Sequence, residues 1–101
     1  MFDEIFYKHS GGDPIYPMDF SAELPSGETI SSQTVTAVDS AGADASSTVV
    51  STISVSGGVV SAILQSGVDL QDYRVTFTAN FSGGESIVKV LLLKVRDNRI
   101  G

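Results

Sequence analysis

The chain has no cysteine and no tryptophan, a single histidine, three prolines and only six basic residues in 101. Without cysteine there is no disulfide framework, no thiolate metal site and no thiol nucleophile. That usage fits a reducing compartment. One histidine, His9, is too few for a two-histidine zinc site, and its setting beside Ser10-Gly11-Gly12 is that of a solvent-exposed segment rather than of a catalytic triad. Six cations against twelve carboxylates give a net charge of −6. This argues against a nucleic-acid partner, which would require lysine and arginine clustered on one face. Long apolar runs are missing too. The longest, Val90–Leu93, falls far short of the roughly 20 residues of a membrane-spanning helix, and the first ten residues have no basic start followed by an apolar segment, so no secretory signal is read there.

What is present is apolar content, 42% of residues, spread evenly. That is too much for a disordered chain, and the length suits one domain that removes roughly 65% of its unfolded surface from water. The organising stretch is Val68–Phe81. From Tyr73 the apolar residues fall on every second position (Tyr73, Val75, Phe77, Ala79, Phe81), with Arg74, Thr76, Thr78 and Asn80 between them. A strand sends alternate side chains to opposite faces, so this spacing predicts a half-buried strand. Ser82-Gly83-Gly84 then signals a turn and a second apolar run starts at Ile87. The expectation is a central hairpin, Tyr73–Phe81 with Ile87–Val95, onto which the other strands pack.

Residues 1–13 read as a flexible N-terminal arm, either disordered or docked on a neighbouring subunit, because Phe2, Phe6 and Tyr7 are costly to leave in water. Pro14 and Pro17 bracket an extended segment. Proline gives no N–H to a ladder, so Ile15–Phe20 suits an edge strand. Leu24–Gly27 is a turn, and Thr29–Val38 is β-branched, with a shift of apolar phase that calls for a bulge near Ser32. Asp39–Ser47 reads as a mobile polar loop. Thr48–Val55 and Val59–Leu64 are strands joined at Gly57-Gly58, a two-residue hairpin connection. The sum is an all-β domain over 14–97, with residues 98–101 as a tail. Its fold class is an immunoglobulin-like antiparallel β-sandwich of six to seven strands. Asp69 opens the turn before Tyr73, and a tyrosine there can fold back to hydrogen-bond that turn, a tyrosine corner.

No catalytic or cofactor-binding residues are read in this chain. The aspartates at 39, 44, 69 and 72 follow no EF-hand spacing, and the glycine pairs follow no phosphate-loop spacing. No acid–base pair is placed for hydrolysis, so the chain is read as a non-enzyme needing no cofactor or metal. The remaining signal is surface character. In Ile87–Arg96 both strand phases are apolar around Val90–Leu93, so one face is covered by something other than the domain's own core. That cover is a partner, or else the arm or loops of the same chain. Phe2, Phe6, Tyr7, Leu91 and Leu93 are the candidate interface residues. A carbohydrate- or host-surface-binding module is the alternative, weakened by loops at Asp39–Ser47 and Ser82–Glu85 that carry no aromatic for sugar stacking.

Several of these residues form a known pattern: Asp13-Pro14, Asp19-Phe20, Leu24, Gly27-Glu28-Thr29-Ile30, Leu64-Gln65-Ser66-Gly67, Tyr73-Arg74-Val75-Thr76, Gly83-Gly84 and Leu93-Lys94-Val95. Over roughly residues 8–97 the chain resembles a family of small virion structural proteins of tailed bacteriophages, often labelled fibre-related. It departs from that pattern at Phe20, where tryptophan is usual, and at Val68, where a second glycine is common. The resemblance implies a non-enzymatic virion component (capsid decoration, neck or fibre-associated), made in the bacterial cytoplasm. It also implies protein partners among capsid, neck or tail proteins, with a homo-oligomer open as well.

Overall fold

The computed structural model describes residues 3–97. Seven strands form two sheets. The strands are β1 (Glu4–Lys8), β2 (Ile15–Asp19), β3 (Ile30–Asp39), β4 (Val50–Ser56), β5 (Val59–Leu64), β6 (Asp72–Phe81) and β7 (Ser86–Val95), and a single-turn helix, α1 (Ser46–Val49), precedes β4. The four-stranded sheet has the order β1-β7-β6-β3 and the three-stranded sheet the order β2-β5-β4. All pairings are antiparallel except β1 with β7.

The β6–β7 hairpin is the centre of the larger sheet. Tyr73 pairs with Leu93 and Ala79 with Ile87 in unbroken register, and Gly84, at φ +103°, closes the turn where an L side chain would be strained. Tyr73, Val75, Phe77, Ala79 and Phe81 are all buried, as their alternation predicts. They meet Met18, Phe20, Val60, Ala62 and Leu64 from the second sheet in one continuous core. The expected bulge lies between Ile30 and Ser32, and β2 is indeed an edge, with Pro17 opposite Ser61.

Three segments differ from the sequence reading. Glu4–Lys8, expected to be part of a flexible arm, forms a strand against Leu91–Val95. Alternation explains it: Phe6 points inward and meets Tyr16 edge-on at 5.1 Å, and the buried Lys8 ammonium donates to the carbonyl of Ser66 at 2.6 Å. A buried ammonium needs such acceptors to offset its lost hydration. Burial holds the Lys8 pKa below the usual lysine value, against the raising effect of Asp13 and Asp97. Asp39–Ser47 is built rather than loose. The Asp39 carboxylate accepts from the N–H groups of Ala41 and Ala43, and Ala45 is buried. Val49 ends a helical turn instead of starting a strand, and a second bulge between Ser51 and Ile53 sets Ile53 opposite buried Ala62, on an edge strand that leaves it 39% exposed.

Before β6 the chain folds tightly back on itself. The Tyr73 hydroxyl accepts from the N–H of Val68 at 3.0 Å, and the Asp69 carboxylate accepts from the N–H of Asp97 at 2.8 Å. Gly67 sits at φ +95°, and a Cβ there would lie 2.9 Å from a methyl of buried Val95. A positive φ alone costs an alanine about 1–2 kcal/mol. Gly67→Ala is therefore expected to destabilise the fold by about 2 kcal/mol or more, seen as a lower urea midpoint with an unchanged slope.

Candidate functional site

Among the described residues no three His, Cys, Asp or Glu side chains are grouped to hold a metal ion, and no helix is long and apolar enough to cross a membrane. Several carboxylates are engaged in structure. Asp19 and Asp44 are held below the usual carboxylate range by the hydroxyl and N–H of Ser21 and Ser46 respectively. Asp97 is lowered by the N–H and hydroxyl of Ser10. For Asp72 burial acts upward, but the Arg96 and Lys94 hydrogen bonds overcome it and the net direction is down. A carboxylate with a lowered folded pKa contributes stability that is complete above the unfolded value, about 3.9, and is lost as pH falls through the folded value. The urea midpoint is accordingly expected to hold steady from about pH 7 to 5 and to fall below about pH 4.

The expected interface residues are scattered by the fold. Phe2 lies outside the described residues. Phe6 is half-buried and faces inward, while Tyr7, on the opposite side of β1, is 43% exposed. Leu91 and Leu93 are completely buried in the chain's own core, out of reach of any partner while the domain is folded. The reason is phase. Leu91 and Leu93 pair with Val75 and Tyr73, whose side chains point to the second sheet. Asp69 and Tyr73 serve the tight turn before β6.

The opposite phase of β7 faces outward, with Val88 exposed and Val90 and Leu92 half-buried. Val88, Val90 and Leu92 stand on the outer face of the four-stranded sheet, and registration sets Ile5 beside Leu92 and Tyr7 beside Lys94. Val88 is 54% exposed and Ile5 59%. Thr76 and Thr78 continue the surface on β6, opposite Thr36 and Thr34 on β3. At one end, Val38, Asp39, Gly42, Asp72, Arg74 and Leu92 line an open concavity of about 460 Å³. The outer face of the smaller sheet is plainer. Ile15 and Ile63 are followed there by the serines at 51, 54, 56 and 61.

Charge separates the two faces further. Of the described basic residues, Lys8 is buried and Lys89 is tied to Glu23 at 2.9 Å, while its ammonium stands 5.4 Å from the Phe20 ring centroid at the sandwich edge. The other three, Arg74, Lys94 and Arg96, are all on or at the end of the outer face of the four-stranded sheet. Lys94 and Arg96 share Asp72, at 3.2 and 2.7 Å.

The outer sheet face thus sets exposed Val88 and Ile5 beside half-buried Val90 and Leu92, edged by threonines and Arg74. Its sequence signal is the stretch Val90–Leu93, apolar in both strand phases. What a period of two cannot say is which phase the second sheet would cover. Residues 8–94 match the family model described as podophage GP4 fiber-tail adaptor protein gp77. None of the curated proteins matches the chain.

Proposed function

The chain belongs to the podophage GP4 fiber-tail adaptor protein gp77 family, and from that membership we propose that it joins tail and fibre components of the virion, without catalysis, through the outer face of its four-stranded sheet. The phage structural role comes with the family. The choice of face is carried by one observation: Val88, Val90 and Leu92 on an interior strand point outward, Val88 exposed and the other two half-buried, with exposed Ile5 beside Leu92. Burying such a row removes apolar surface at roughly 25 cal/mol per Å², and the flat threonine ladder beside it adds contact without side-chain entropy to lose on the scale of lysine or glutamate.

We read the two sheets as an immunoglobulin-like sandwich. The reading is supported by the parallel pairing of the first strand with the last, the three-stranded sheet β2-β5-β4 opposite, and the tyrosine before the penultimate strand that bonds back to Val68. In such a frame a rigid face, rather than a flexible loop, holds the partner. The test is assembly in the presence of Val88→Asp and Ile5→Asp. Both positions are more than half exposed, so the domain should remain folded, with a shift within about 0.5 kcal/mol. Particles are expected to lose the adaptor or the fibre, measured as copies per particle by quantitative mass spectrometry. Wild-type copy numbers with both variants would reject the face.

A further inference from the structure

Arg74 is exposed on β6, with Val38 on one side and Leu92 on the other as its direct cross-strand neighbours. Among the described residues its side chain has no ion-pair or hydrogen-bond partner, although the nearby Asp72 carboxylate takes both Lys94 and Arg96. The concavity at its side is lined by apolar Val38 and Leu92 on the sheet, by the Asp72 carboxylate that Lys94 and Arg96 neutralise, and by the Asp39–Gly42 turn at the rim. An exposed guanidinium beside two aliphatic neighbours leaves its planar fork open to a carboxylate, which it matches in two hydrogen bonds. The chain is acidic overall, at −6, whereas this face sets Arg74, Lys94 and Arg96 against Asp72 and, at the rim, Asp39, a local excess of positive charge on an anionic body.

We propose that the segment seated on this face is an acidic, apolar stretch of a tail or fibre protein, and that one of its carboxylates pairs with Arg74 beside Leu92. This rests on the docking face proposed above and adds the chemistry of what docks there. Apolar contact along Val88, Val90 and Leu92 supplies affinity, and the Arg74 pair fixes register and orientation, as charges at interfaces do. Like charges on the acidic remainder of the chain repel the same segment elsewhere, which is the negative half of specificity.

The experiment measures association of the purified full chain with particles lacking it, at about 50 and 500 mM salt, for wild type, Arg74→Gln, Arg74→Glu and Val88→Asp. Light scattering of each purified chain and its thermal midpoint are recorded alongside. Arg74→Gln is expected to weaken association about fivefold and Arg74→Glu more than about tenfold, with unchanged midpoints. The salt dependence seen with wild type should be reduced in Arg74→Gln. If Val88→Asp abolishes association while Arg74→Glu binds as wild type, the carboxylate pairing is overturned and the face stands. If neither variant changes it, both fall. If Arg74→Glu instead dissolves a self-associated form of the chain and leaves particle binding intact, the occupant is a second copy, and the proposed acidic partner is overturned.

Discussion

Leu91→Ala is expected to lower the unfolding free energy by about 2–5 kcal/mol, whereas Leu92→Ala, one residue along the same strand, should cost about 1 kcal/mol or less. Leu91 is completely buried opposite Val75, so truncation leaves a cavity among side chains that cannot close around it. Leu92 is half-exposed beside Arg74 and Ile5, and water already reaches part of it. The functional effects should run the other way. Leu92→Ala weakens partner association, and Leu91→Ala does so only in proportion to the unfolded fraction. Urea unfolding of both variants, set against their copy number in particles, checks the pair. Equal destabilisation by the two would mean that both faces of β7 are covered within the chain.

Removal of residues 1–8 should have a comparable effect by a different route. It deletes β1, and with it the Phe6 ring against Tyr16, the Lys8 bond to Ser66 and the ladder along Leu91–Val95. Half-burial of one phenylalanine and loss of a buried charge-assisted hydrogen bond together suggest about 3 kcal/mol. The second consequence concerns association. β7 becomes an edge strand with unpaired N–H and C=O groups over a buried apolar row, a template for intermolecular pairing. The truncated chain is expected to show a lower urea midpoint and a concentration-dependent mass by light scattering. An unchanged midpoint and mass would mean that Glu4–Lys8 contributes nothing to the sandwich.

Strands were legible wherever one face is buried and the other wet. Tyr73–Phe81 shows strict alternation because every inward position meets the second sheet, and Ile15–Asp19 shows its edge position through Pro17. The bulge near Ser32 could be read as well, since a skipped residue shifts the apolar phase. Short-range pattern fails where a contact is distant in sequence. Glu4–Lys8 looks like a tail because its stability comes from Leu91–Val95 and Ser66, more than fifty residues away. Asp39–Ser47 looks loose because its order comes from one carboxylate holding two N–H groups and from Ala45 docking on the core. The same limit applied to the candidate surface. Two apolar phases around Val90–Leu93 announce a second covered face, and only the position of the β2-β5-β4 sheet assigns Leu91 and Leu93 to the inside and Val88, Val90 and Leu92 to the outside.

The absence of native cysteine makes the most direct measurement clean. Single variants Val88→Cys and Ile15→Cys place one thiol on the outer face of each sheet, both at exposed positions, for maleimide labelling of the free chain and of assembled particles. The account predicts that both label in the free chain and that assembly protects position 88 while position 15 stays reactive. Continued labelling at 88 in the particle, with protection at 15, would contradict it.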